Sequence, residues 1–112
     1  MPDLKEITQF LVNFRNERDW EQFHDAKNLA VALSIEAAEL NELFLWKTPE
    51  GCDQTDREKI ADELADVFVY ALLLAERYDF DIREIILNKM KKNAAKYPVS
   101  KAKGNAKKYN EL

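Results

Sequence analysis

Two glycines and three prolines are the only strong chain breakers in 112 residues, so the backbone has few places to turn and is committed to long helices with short connections. Hydrophobic residues at 46% and charged residues at 34% give a globular rather than a disordered balance, and the length suits one domain, 1–112, with a core of its own. Three capping boxes mark where helices begin. Asp3-Leu-Lys-Glu6 opens a first helix with apolar positions Leu4, Ile7, Leu11 and Phe14, running to about Arg18. Asp25 caps a second, predicted through Leu29 to Leu40 and on to Trp46 or Lys47, where Thr48-Pro49-Glu50-Gly51 stops it. Thr55-Asp-Arg-Glu58 opens a third, predicted to about Arg77 with Val67 to Ala75 buried nearly all round, and Asp81-Ile-Arg-Glu84 opens a fourth, ending near Lys96. The expectation is an all-α bundle of four main helices followed by a lysine-rich C-terminal tail, 97–112, that orders on a partner or ligand.

The longest apolar run, Val67 to Ala75, covers nine positions, far short of the ~20 that span a bilayer, so no membrane association is expected. Cys52 is the sole cysteine and cannot form an internal disulfide, and the first twenty residues carry charges throughout rather than an apolar signal core. Both features point to a cytoplasmic protein. Charge is unevenly spread: positions 88–112 hold eight lysines and one acid, Glu111, for a net +7, against −11 for positions 1–87.

The chemistry-bearing signal lies in acids set where apolar residues belong. On a 3.6-residue period the buried stripe of the second helix is Leu29, Leu33, Leu40, Leu43 and Phe44, with Glu36 in its middle and Glu39 three residues on. In the third helix Glu63 and Asp66 are again three apart beside the stripe Ile60, Leu64, Val67 and Ala71. Residues at that spacing have β-carbons about 5–6 Å apart and can converge on one point. Such pairs could be ordinary surface acids partnered by Lys27, Arg57 or Lys59. Two pairs in consecutive apolar helices favour a metal site instead, because buried carboxylates without a counter-charge cost several kcal/mol each. Glu42 is a further acid that could act as an outer ligand or base, and Asp62 reads as a surface acid.

Oxygen-only ligands select a hard ion, Mg²⁺ or Mn²⁺, while a single histidine, His24, and Cys52 in a loop argue against zinc and against a di-iron bundle. Such ions most often bind phosphates and activate water for in-line attack. Lys89, Lys92 and Lys96 form a basic stripe on the fourth helix suited to a polyphosphate, or else a solvated face. Trp20 and Trp46 stand at the two ends of the second helix, where each is a core residue or a stacking platform for a base.

Glu36-x-x-Glu39 followed by Glu63-x-x-Asp66 resembles the signature of the MazG-like all-α nucleoside triphosphate pyrophosphohydrolases. The similarity is closest to their dCTP pyrophosphatase branch. It is carried by Glu17-Arg-Asp-Trp20-Glu-Gln-Phe-His24, Asn28-Leu29, Glu39-Leu-x-Glu-Leu-Phe-x-Trp46-Lys47, Lys89-Met90, Asn93 and Lys96-Tyr97-Pro98. The resemblance implies hydrolysis of a deoxynucleoside triphosphate to the monophosphate and pyrophosphate, with Mg²⁺ held by Glu36, Glu39, Glu63 and Asp66. Those acids would also supply the general base for water attack on the α-phosphorus. It places the base between Trp20 and Trp46, His24 and Tyr70 near the nucleotide, and Lys89, Asn93 and Lys96 on phosphates or sugar. It further implies a homodimer or a homotetramer built as a dimer of dimers, with sites formed between subunits.

Position 11 departs from the branch, being leucine where the animal dCTP enzymes carry a base-contacting histidine, so the base preference stays open. Three functions remain: pool sanitation acting on dCTP or related pyrimidine nucleotides; broad or purine-preferring triphosphate hydrolysis; and a non-enzymatic nucleic-acid-binding helical module served by the +7 segment. The acidic body and the lack of arginine after Arg83 weigh against the last.

Overall fold

The computed structural model describes all of residues 1–112. The chain is all-α, with six helices, two short 3₁₀ turns and no strand. α1 is Leu4–Glu17, α2 Ala26–Glu42, α3 Pro49–Asp53, α4 Arg57–Arg77, α5 Ile82–Lys96 and α6 Val99–Ala102; 3₁₀ turns occupy Glu21–Phe23 and Tyr109–Glu111. The four long helices are the four read from the sequence, α4 and α5 being the third and fourth of that reading.

Side-chain caps set three of the starts as expected. The Asp3 carboxylate accepts from the Glu6 N–H at 2.9 Å, Asp25 from Asn28 at 2.7 Å and Asp81 from Glu84 at 3.0 Å. α4 differs. Its cap is Asp56, which accepts from the Glu58 N–H at 2.9 Å, because the Thr55 hydroxyl is engaged by the Lys47 ammonium at 3.1 Å. α2 stops at Glu42 rather than at Trp46 or Lys47. Leu43, Phe44 and Leu45 tighten into successive three-residue bonds at 3.2, 3.0 and 3.3 Å, and Trp46 then turns left-handed at φ 64°. Thr48-Pro49-Glu50-Gly51 ends one element and begins another. The Thr48 hydroxyl accepts from the Gly51 N–H at 3.0 Å and Pro49 sits at the first position of α3, so Cys52, expected in a loop, is helical and half-buried.

The chain divides into two compact units, Met1–Asp79 and Phe80–Leu112. In the first, α2 packs along α4, and α1 packs on α4 as well. The fully enclosed core is small: Leu29, 1% exposed, with Leu72, Leu73 and Ala75. The expected burial around Val67 to Ala75 holds for those three α4 residues but fails at Phe68, which is 59% exposed. Arg15 is the one buried charge, reaching Glu76 of α4 at 3.4 Å and Glu21 of the 3₁₀ turn at 4.0 Å.

In the second unit no residue is buried. The segment read as a tail carries α6 and the terminal 3₁₀ turn, with the Tyr109 ring edge-on to Tyr97 at 6.3 Å and under the Lys96 ammonium at 4.7 Å. Gly104, at φ 83°, supplies the left-handed bend between them. No helix of the chain is long and apolar enough to cross a membrane.

Candidate active site

α2 and α4 lie side by side, and the residues that interrupt their apolar stripes meet there. Carboxylate oxygens of Glu36, Glu39 and Glu63 fall within 4.8 Å of one another. Glu36 and Glu63 are half-buried, and each keeps one buried oxygen, Oε2, with no hydrogen-bond partner. Burial lifts the Glu36 carboxyl to about 7, aided by a hydrogen bond and charge repulsion from Glu39, then by the charges of Asp66 and Glu63. The Glu63 carboxyl is raised for the same leading reasons, burial and then Glu39, with Asp66 and Asp62 behind them. Two carboxylates this close offer only acceptors, so their buried oxygens are satisfied by a shared proton or by a cation.

That donor set fits a hard divalent ion. Oxygens on opposite sides of Mg²⁺ stand about 4.2 Å apart. The three oxygens of the cluster all lie within 4.8 Å of one another, at most about 0.6 Å beyond that span. Asp66, one helical turn beyond Glu63 and exposed, lies outside the tight cluster yet within its electrostatic reach. Glu42, at the end of α2, is exposed and no part of the cluster.

Tyr70 is next along this face of α4, at the 3–4 spacing that follows Glu63 and Asp66. Burial raises its hydroxyl pKa, with further contributions from Glu36, Asp66 and Glu39. The His24 ring meets Tyr70 edge-on at 6.4 Å. Trp20 is half-exposed and edge-on to Phe14 at 5.9 Å, and Phe14 carries the Arg18 guanidinium on its ring at 3.5 Å. Trp46 is 94% exposed on its left-handed backbone, an uncommon geometry for a bulky residue. Lys89, Asn93 and Lys96 belong to the second unit. There Lys89 and Lys96 are exposed, and Asn93, half-buried, donates to the Met90 sulfur at 3.6 Å.

No motif marks Arg15, although its place is legible: it follows Leu11 by four residues and so falls on the apolar stripe of α1. Its carbonyl accepts from the N–H of Arg18 at 3.2 Å and of Trp20 at 3.0 Å, and its side chain grips Glu21 and Glu76. It thereby anchors the segment that carries Trp20 and His24.

Known proteins share this fold and much of this sequence. The model of the MazG-like family matches residues 31–112. The dCTP pyrophosphatase 1 of Homo sapiens is 41% identical over 116 residues, covering 99% of this chain and 68% of that protein, and its Mus musculus counterpart is 40% identical over the same extent. A crystal structure of a pyrophosphatase from Archaeoglobus fulgidus superposes with a TM-score of 0.81 at 36% identity, over 88% of this chain and 94% of that one. By fold, by sequence and by the acidic pairs that face each other across α2 and α4, this chain belongs to the MazG-like family.

Proposed function

We propose that the protein is a Mg²⁺-dependent nucleoside triphosphate pyrophosphohydrolase that converts a deoxynucleoside triphosphate, foremost dCTP or a related pyrimidine nucleotide, to the monophosphate and pyrophosphate. The observation that carries this reading is the convergence of Glu36, Glu39 and Glu63 with two buried oxygens that lack a donor. Glu36, Glu39, Glu63 and Asp66 would hold the metal, with Mn²⁺ an acceptable substitute. When bound, the ion neutralises phosphate charge and lowers the pKa of a coordinated water. The carboxylates of this chain would hold the ion to which the triphosphate binds, and one of them would accept the proton of the attacking water. Trp20 and Trp46 stack on the base. Tyr70 and His24 border the nucleoside, and Lys89, Asn93 and Lys96 bind phosphate oxygens or the sugar.

The family match spans both compact units, which supports residues 1–112 acting as one functional domain. The reading includes a homodimer or homotetramer. Phe10, Phe23, Val31, Ile35, Leu64 and Phe68 are all exposed beside a core of four enclosed apolar side chains. A second copy is the partner whose surface is equally apolar. A cytoplasmic location suits a chain with one unpaired thiol and nucleotide substrates.

The test is a panel of dCTP, dTTP, dATP, dGTP and their ribonucleotide counterparts, with and without Mg²⁺, products resolved by anion exchange. The expected result is Mg²⁺-dependent release of monophosphate and pyrophosphate, fastest with dCTP. Uniform rates across bases would favour the broad-specificity reading, which Leu11 on α1 supports. Absence of any cleavage overturns the enzyme.

A further inference from the structure

Arg15 is the one charged residue that the fold buries, 6% exposed at a place where the stripe Leu4, Ile7 and Leu11 calls for an apolar side chain. A guanidinium taken out of water is stable only with well-placed partners, and a hydrophobic side chain of similar volume is often as stabilising or more so. What the apolar residue lacks is direction. The planar fork carries five donors and can address two groups at once.

The fork of Arg15 does so. Nη1 donates to Glu76 Oε2 on α4 at 3.4 Å, Nη2 faces Glu21 Oε1 of the 3₁₀ turn at 4.0 Å, and Nε donates to Asn16 Oδ1 at 3.2 Å. One side chain thereby joins α1, the turn and α4. The turn needs such a tie, because it buries none of its own residues and is reached through Asp19, left-handed at φ 55°. The charge is felt across the turn as well: the imidazole pKa of His24 is lowered by burial first and by the Arg15 guanidinium second.

Arg15 stands away from the reacting atoms. At about 1.5 Å per residue, Glu76 lies about 20 Å along α4 from Glu63, so a fork anchored there does not touch phosphates held at the acidic cluster. The Arg15 carbonyl accepts from the Trp20 N–H at 3.0 Å, a backbone bond that does not depend on the side chain. Substitution at position 15 therefore reads the fork alone.

We propose that Arg15 is a positioning residue: anchored on Glu76, its guanidinium holds the Glu21–Phe23 turn to α4 and so keeps the adjoining Trp20 ring in place for the nucleoside half of the substrate. This rests on the pyrophosphohydrolase reading, and it assigns Arg15 to substrate binding rather than to bond cleavage.

Steady-state kinetics on dCTP with Arg15→Met, Glu76→Gln and the double variant test it. Methionine continues the apolar stripe with an unbranched chain, so the melting temperature of Arg15→Met should equal or exceed that of the wild type. Its KM should nevertheless rise about tenfold, the size of one lost hydrogen bond to a charged group, with kcat changed by no more than about twofold. Inhibition by dCMP should weaken by a similar factor, while inhibition by pyrophosphate, which has no nucleoside, should stay as it was. Glu76→Gln should raise KM in the same direction, and the double variant should be no worse than Arg15→Met, because both residues serve one tie.

A wild-type KM in folded Arg15→Met, additive effects in the double variant, or pyrophosphate inhibition weakened as much as that by dCMP, the mark of a general loosening, overturns the proposal and leaves the pyrophosphohydrolase standing. Should Arg15→Met misfold by circular dichroism, Glu76→Gln, at a side chain 38% exposed, decides alone by the same comparison of dCMP with pyrophosphate. A wild-type protein that cleaves no triphosphate overturns both.

Discussion

At Glu36, half-burial and three acidic neighbours act on two measurable quantities with opposite signs. The carboxyl ordinarily titrates near 4.5 and here is pushed up to about 7, so the folded state disfavours its ionised form. Its stabilising contribution is complete below 4.5 and is lost as pH rises through about 7. In EDTA the melting temperature should therefore fall between pH 5 and pH 8, and Mg²⁺ should restore it at the upper end. Over the same range proton and cation compete for one site, so Mg²⁺ affinity measured calorimetrically should tighten from pH 6 to pH 8. Glu36→Gln removes the charge but keeps the shape. It should flatten the EDTA pH slope, raise the metal-free melting temperature by a few degrees and lower turnover at least about a hundredfold. Glu36, Glu39 and Glu63 were legible in the sequence because acids at a core spacing contradict the period around them. Arg15 obeys the same logic, but its role is not legible in the sequence, since its partner Glu76 is 61 residues away and no local spacing marks the contact.

Among the elements, caps explain why the sequence located helix starts better than helix ends. An Asp at the cap position announces a start locally, three residues before an acid at Asp3 and Asp81 and before Asn28 at Asp25. The end of α2 is set instead by the Lys47–Thr55 contact and the Thr48 cap, which act together across eight residues and leave Trp46 left-handed. Nothing in a 3.6-residue pattern announces that. Trp46→Gly tests the consequence. Relief of a left-handed backbone at a side chain with almost no packing should stabilise the metal-free protein by about 1 kcal/mol, read by urea unfolding. The same change should raise KM for dCTP. Leu29, 1% exposed on α2, gives the opposite case: Leu29→Ala should cost about 2–5 kcal/mol and loosen the acidic cluster that α2 helps to build.

For the molecule as a whole, four enclosed apolar side chains and many exposed ones set the expected behaviour on dilution. Light scattering should report a dimer or tetramer at micromolar concentration, and Phe68→Asp, which places charge on an exposed α4 position, should drive it toward monomer and lower its melting temperature. A melting temperature independent of concentration, with a monomeric mass, would contradict this. The sequence carried the apolar surplus of α4 but not its destination, because composition cannot say whether a side chain such as Phe68 is covered by its own chain or by another. An enclosed core this small also bears on gene dosage. With the proposed self-association, the chain would be exposed to proteolysis when scarce and shielded when plentiful, so its steady-state abundance should rise more steeply than its rate of synthesis.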